Sequence, residues 1–195
     1  MADAASAWDR EAATFDREPD HGLRDGAVRN AWRTALGARL PPPPARIADL
    51  GCGTGSLSVL LAEDGHKVSG VDISAQMLAH ARSKAMAHGV SLDLVRGDVA
   101  APAYRAGAFD AIMCRHVLWA LDDIDSVLHR WTGLLRSGGT MILIEGQWST
   151  GGGLVADRIT NSLRRLGRPA RVQSLAANRD LWGREINDDR YMIVS

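Results

Sequence analysis

The sequence predicts an α/β protein: a doubly wound, mostly parallel sheet preceded by a helical N-terminal segment. Three observations carry this. From Arg46 onward, short apolar runs alternate with stretches of helical spacing, and strands alternating with helices make right-handed crossovers in a sheet covered on both faces. A glycine cluster separates the first such run from the first helix, where open α/β sheets bind ligands. Four prolines, Pro41 to Pro44, divide this region from what precedes it, because proline has no N–H to donate and stops a helix.

The elements follow in order. Trp8, Ala12 and Phe15 fall at i, i+4 and i+7, and Leu23, Ala27, Ala31 and Ala35 repeat at helical spacing beside Trp32 and Leu36. This predicts two helices separated by a turn at Pro19–Gly22. Arg46–Leu50 reads as a buried strand, and a helix carrying Leu57, Leu60 and Leu61 stops near Gly65. The strand Lys67–Val71 leads to Asp72 and to Ser74, an N-cap for a helix with Met77, Ala81 and Ala85 on one face. Ser91–Arg96 and Phe109–Cys114 are the next strands. Ile124, Val127, Leu128, Trp131, Leu134 and Leu135 mark a strongly amphipathic helix, which Ser137-Gly138-Gly139 stops before the strand Met141–Ile144. A helix with Val155, Ile159, Leu163 and Leu166 on its face precedes two edge strands, Arg171–Leu175 and Arg190–Val194. The expected organisation is one compact domain, with residues 1–45 a helical cap on a core of 46–195.

Composition narrows the function. With 195 residues, 46% hydrophobic and 24% charged, the chain can bury a core without staples. Its 23 basic residues balance 23 acidic ones, which argues against a dedicated nucleic-acid binder. Cys52 and Cys114 are too few for a disulfide framework and suit a reducing compartment. No apolar leader or membrane-length run is visible. A cytoplasmic single-domain protein, monomer or homodimer, with neither membrane nor nucleic-acid partner is expected.

The most informative stretch is Asp49-Leu50-Gly51-Cys52-Gly53-Thr54-Gly55. Glycines after a strand let backbone amides approach a ligand, and Asp72, 21 residues beyond Gly51 at the end of the next strand, is placed to accept ribose hydroxyls. A dinucleotide site would want glycine or alanine where Ser56 stands, and Asp49 would repel a pyrophosphate. A carboxylate there suits a ligand carrying an ammonium group, which counts against a nicotinamide-dependent oxidoreductase.

This stretch resembles the first motif of class I S-adenosylmethionine-dependent methyltransferases of the small-molecule type. The resemblance continues through V-D-I-S at 71–74, R-G-D-V at 96–99, F-D-A-I-M-C at 109–114 and L-L-R-S-G-G-T at 134–140. It implies a Rossmann-like seven-stranded sheet with an antiparallel edge, S-adenosylmethionine as cofactor and S-adenosylhomocysteine as product. Carried over by position, Asp49, Gly51, Cys52, Gly53 and Gly55 form the loop under the methionine part. Asp72 takes the ribose, Ile73 and Met77 pack on adenine, and Asp98 with Val99 reads its amino group. Met77 reads equally well as helix core. Arg115 stands near the methionine carboxylate, though the family more often has an apolar or small residue there. Phe15 closes over the cofactor from the N-terminal helix.

Substrate candidates cluster after the fourth and fifth strands: Trp119, Glu145 and Trp148 as pocket residues, with Asp20 approaching from the cap. A hydroxyl or protonated-amine acceptor needs a base near neutrality, and histidine supplies one. His116, on the scaffold, is the expected base or orienting group, with His21 contributing from the cap. No carboxylate or histidine cluster of metal-ligand spacing is visible, so no metal is expected. The expected activity is methyl transfer to an O or N atom of a small organic molecule. The competing readings are a methyltransferase acting on RNA or protein, and a non-catalytic subunit that binds the cofactor.

Overall fold

The computed structural model describes residues 2–149 and 151–195. The N-terminal segment forms α1 (Ala2–Phe15), a single turn α2 (Pro19–Gly22) and α3 (Gly26–Gly37). There follow β1 (Arg46–Leu50), α4 (Ser56–Glu63), β2 (Lys67–Asp72), α5 (Ala75–Ala87), β3 (Asp93–Arg96), β4 (Phe109–Arg115), α6 (Ile124–Leu134) and β5 (Leu135–Gln147). The chain ends with α7 (Ala156–Arg165), β6 (Arg171–Ser174), α8 (Arg179–Trp182) and β7 (Asp189–Val194). Among the described residues, no helix is long and apolar enough to cross a membrane.

One seven-stranded sheet has the order β3-β2-β1-β4-β5-β7-β6. Strands β1 to β5 pair in parallel, and β7 runs antiparallel to both β5 and β6. The order reverses between β1 and β4, and the carboxyl ends of these two strands open the crevice where such sheets take ligands.

Two apolar layers cover the sheet. On one side Leu128, Trp131 and Leu163 of α6 and α7 pack with Ile112 and Leu143. On the other, Trp32 and Leu36 of α3, Leu60 of α4 and Trp182 of α8 pack with Ile47, Met113 and Ile144. The N-terminal segment is therefore divided: α3 belongs to the core, while α1 lies against α5 and reaches over the strand ends.

Two elements differ from the sequence expectation. β5 begins at Leu135, directly after α6, because an irregularity in its pairing with β4 absorbs the glycines: Phe109 pairs with Leu135, and Ala111 with Thr140. The short helix α8 has no counterpart in the expected elements; its four residues are too few to show a helical period.

Candidate active site

The turn after β1 is shaped by what its glycines allow to approach. A Cβ on Gly51, at φ +80°, would stand 2.3 Å from the Val117 side chain, and one on Gly55, at φ +75°, would stand 2.8 Å from Ala81. Without them the loop after β4 closes on the turn and α5 closes on α4. Gly53 lies under the Phe15 ring, where a Cβ would make ordinary contact at 3.6 Å.

Three carboxylates surround this turn. Asp72 is buried and accepts from the Gly53 N–H at 2.8 Å and the Ser74 N–H at 2.9 Å, one on each oxygen. Each oxygen keeps acceptor capacity, while burial raises its pKa. Asp49 is buried, accepts from the Ser58 hydroxyl, and is pushed by burial up to about 6, with Arg115 opposing. Asp98 accepts from the Ala100 N–H at 2.8 Å. Burial pushes the Cys52 thiol well up, so it offers no thiolate.

Helix α1 is fastened across this cleft by polar bonds. Asp9 accepts from the Ser74 hydroxyl and, at 3.0 Å, from the Gln76 N–H. Asp16 accepts from the Thr54 hydroxyl and pairs with Lys84 Nζ at 2.8 Å, which also donates to Ser56.

Beyond β4 the chain turns at His116, whose φ of +58° is left-handed and unusual for a side-chain-bearing residue. Its N–H donates to the Ile144 carbonyl at 2.8 Å, while its Nε2 is enclosed without a partner. Burial, then Arg115, Arg190 and His21, hold its pKa well below the ordinary 6.5, so the imidazole is neutral near pH 7. His21 is also lowered, by burial and Arg115, against the opposing Asp20. Its ring stacks on Phe15 with centroids 4.3 Å apart.

Beneath these histidines lies a buried charge cluster. Asp20 Oδ2 is 4.0 Å from Arg115 Nη1 and 3.8 Å from Arg190 Nη1, and Arg115 donates to the Asp20 carbonyl at 2.6 Å. The guanidinium groups of Arg115 and Arg190 lie over the rings of Trp32 and Trp182. Asp20, His21 and His116 offer one ligand atom each within 4.8 Å of one another. That satisfies a metal by donor count, but Asp20 already faces two guanidinium groups, and a divalent cation would add like charge to them.

Both ends meet in one cavity of about 700 Å³, within the usual range for small-molecule sites. Of the residues singled out from the sequence, Phe15, His21, Asp49, Gly51, Cys52, Gly53, Asp72, Ile73, Met77, Asp98, Val99, Arg115, His116, Trp119 and Trp148 line it. Two do not. Gly55 is turned to α5, as its Ala81 contact shows. Glu145 is fully buried behind the wall, where Oε1 accepts from the N–H groups of Val117 at 2.8 Å and Leu118 at 2.7 Å. It therefore holds the loop after β4 rather than facing the cavity, and burial pushes it up to about 7.

Sequence reading missed Trp8, Thr54 and Leu121 in the wall, and Arg190 beneath it. Trp8 carried a signal, its place on the apolar face of α1. Arg190 carried none, because it reaches Asp20 only through the antiparallel pairing that sets it beside Gly146.

Residues 48–143 match the family model described as a methyltransferase domain. The chain is 34% identical over 137 residues to a ubiquinone biosynthesis O-methyltransferase of Xanthomonas axonopodis pv. citri, covering 70% of this chain and 54% of that one. It is 35% identical over 125 residues to a demethylmenaquinone methyltransferase of Thermus thermophilus, covering 63% and 57%. The chain thus spans about half the length of these curated relatives. Among solved structures, an N-methyltransferase of Haemonchus contortus in complex with phosphomonomethylethanolamine and S-adenosylhomocysteine superposes with a TM-score of 0.71. The identity is 16%, over 85% of this chain and 52% of that one, a likeness of fold.

Proposed function

The chain belongs to the class I S-adenosylmethionine-dependent methyltransferases, and from that premise we propose that it moves a methyl group from S-adenosylmethionine to an oxygen or nitrogen of a small organic molecule. One observation carries the reading: a single cavity joins the glycine turn, Asp49 and Asp72 to the unpartnered imidazole of His116.

The residues at the turn fit the cofactor. The spare acceptor capacity of Asp72 suits the ribose hydroxyls, and Asp98 and Val99 suit the adenine edge between Ile73 and Met77. Asp49, raised by burial to about 6, would receive the ammonium group. Phe15 covers Gly53 and would shield this end of the bound cofactor from water. Held by these residues, the cofactor would supply a methyl carbon activated by a cationic sulfur for transfer to the acceptor's lone pair. His116 orients the acceptor and takes its proton at Nε2.

Two findings support a small acceptor. Relatives named for O-methylation favour oxygen. On α7 Arg158 and Arg165 pair with Asp125 and Arg164 donates to Asn161, while beyond its end Arg168 donates to the Gly139 and Ser195 carbonyls. The ion pairs with Asp125 neutralise part of this basic face.

Titration calorimetry tests the reading: S-adenosylmethionine and S-adenosylhomocysteine bind, while NAD does not. Asp72→Ala weakens binding by about 1.5–3 kcal/mol, the worth of hydrogen bonds to a charged group. Binding of NAD in preference, or unchanged affinity in the variant, contradicts it.

A further inference from the structure

The two ends of the cavity are held by different strands. At the glycine turn the N–H groups of Gly51 and Cys52 donate to the Val71 carbonyl of β2, at 2.8 and 3.1 Å, and that of Gly53 donates to Asp72. The loop after β4, which brings His116 and Trp119 into the cavity wall, is held instead from β5. The His116 N–H continues the parallel ladder to the Ile144 carbonyl at 2.8 Å. The next carbonyl on that side of β5 belongs to Gly146, and it accepts from the Leu154 N–H at 2.8 Å. The N–H groups that follow His116 are thus left without a strand partner, a state that enclosed backbone rarely tolerates.

Glu145 supplies the missing acceptor. Its side chain is fully buried, and one oxygen, Oε1, takes both the Val117 and the Leu118 N–H, at 2.8 and 2.7 Å. A carboxylate accepts such bonds more strongly than a neutral carbonyl. The short 3-10 turn Leu118–Ala120 begins at this pair of bonds, and it brings the Trp119 indole N–H to 2.9 Å from the His116 carbonyl. His116 itself is left-handed, a conformation that persists only where its surroundings impose it. The bonds on either side, to Ile144 and to Glu145, do so. Among the described residues no basic group pairs with Glu145, and its Oε2 is enclosed without a partner. Stability alone would favour an apolar side chain at so enclosed a position.

Resting on the methyl-transfer reading above, we propose that Glu145 is a positioning residue: through the Val117 and Leu118 amides its Oε1 fixes where the His116 imidazole and the Trp119 ring stand relative to the donor methyl. It touches neither cofactor nor acceptor and acts through the loop. In-line transfer tolerates little misplacement, and a shift of about 1 Å can cost on the order of a hundredfold in rate. The loop meets the glycine turn only by apolar contact where Val117 stands over Gly51, and the turn keeps its own bonds to β2. Loosening the loop therefore moves the acceptor end and leaves the cofactor end in place.

The test follows the full chain bound to S-adenosylhomocysteine, by NMR of isotope-labelled histidine rings and by titration calorimetry. The His116 signals are assigned by their loss in His116→Gln. Glu145→Gln keeps the reach and an accepting oxygen, and its NH2 falls where Oε2 bonds to nothing; its His116 signals should match those of the unaltered chain. Glu145→Asp keeps the charge but withdraws it by one methylene, and Glu145→Met removes the acceptor. Both should displace or broaden the His116 signals, while affinity for S-adenosylhomocysteine stays within about threefold. Should the Met variant fail to fold, the Gln and Asp variants decide, since they set reach against charge. His116 signals unmoved in the Asp variant overturn the proposal, as do signals equally disturbed in the Gln variant. Affinity that falls further, in step with the signals, makes Glu145 a general prop of the site and also overturns it. An unaltered chain that does not bind S-adenosylhomocysteine defeats the methyl-transfer reading, and the proposal with it.

Discussion

Helices α1 and α3 share the N-terminal segment and an amphipathic pattern, yet they are attached by different forces. In α3, Val28, Trp32 and Leu36 are almost fully buried, and the Trp32 indole donates to the Leu181 carbonyl at 2.8 Å. In α1, the buried apolar residues among those described are Ala5 and Ala12, and its large side chains, Trp8 and Phe15, turn to the cavity. Burying a large apolar side chain is worth about 1.5–3 kcal/mol, whereas a hydrogen bond nets about 0.5–1.5 kcal/mol. What separates a core layer from a cover is therefore the size of the side chains it buries against protein. A cover whose apolar side faces the cavity gains its missing contacts only from a ligand.

The contrast breaks if the two helices fail together. The largest effect is expected at Trp32→Ala, which should cost about 3–5 kcal/mol in urea unfolding. A chain begun at Ala45 should not fold, since it also loses Leu23, Val28 and Leu36, while one begun at Glu18 should keep its far-ultraviolet dichroism. A cooperative fold in the shorter chain would place α3 with the cover.

A middle-sized effect sharpens the contrast. Asp16→Ala removes the bond to Thr54 and the pair with Lys84, and should weaken S-adenosylhomocysteine binding about tenfold. It should shift the urea midpoint far less than Trp32→Ala does. A comparable loss of global stability would mean that α1 does not open on its own.

The smallest effect is a pH dependence confined to α1. The Ser74 hydroxyl and the Gln76 N–H hold Asp9 below its ordinary 3.8. A carboxylate depressed in the folded state contributes stability above its unfolded value and loses it as pH falls through the folded one. Hydrogen-exchange protection of residues 2–15 should then drop below about pH 4, while residues 26–37 stay protected. Parallel loss in both helices would remove Asp9 as a specific latch.

The central sheet was legible because its signals are local: alternating periods, glycines at strand ends and an acid at fixed spacing all concern neighbouring residues. That logic puts Asp49, Asp72 and Trp119 in the cavity wall, whereas Asp98 follows from the family resemblance. Glu145 was expected there too, since a residue at a strand's end reads as accessible. The loop after β4 folds back over it, a fact of three dimensions that no spacing encodes. Val28, Trp32 and Leu36 announced an apolar face without saying which surface it would meet. The charge cluster of Asp20, Arg115 and Arg190 joins α2, β4 and β7, and its members lie too far apart in sequence to suggest one another.

The left-handed backbone at His116 carries a consequence for the history of the site. A side-chain-bearing residue in that conformation costs about 1–2 kcal/mol, a cost that glycine escapes and asparagine reduces. A population of variants screened only for stability would drift there to Gly or Asn. If His116 serves the proposed transfer, a screen for turnover would return it to His, the fold conceding stability at one turn. Agreement of the two screens on Gly or Asn at position 116 would remove the residue from the chemistry.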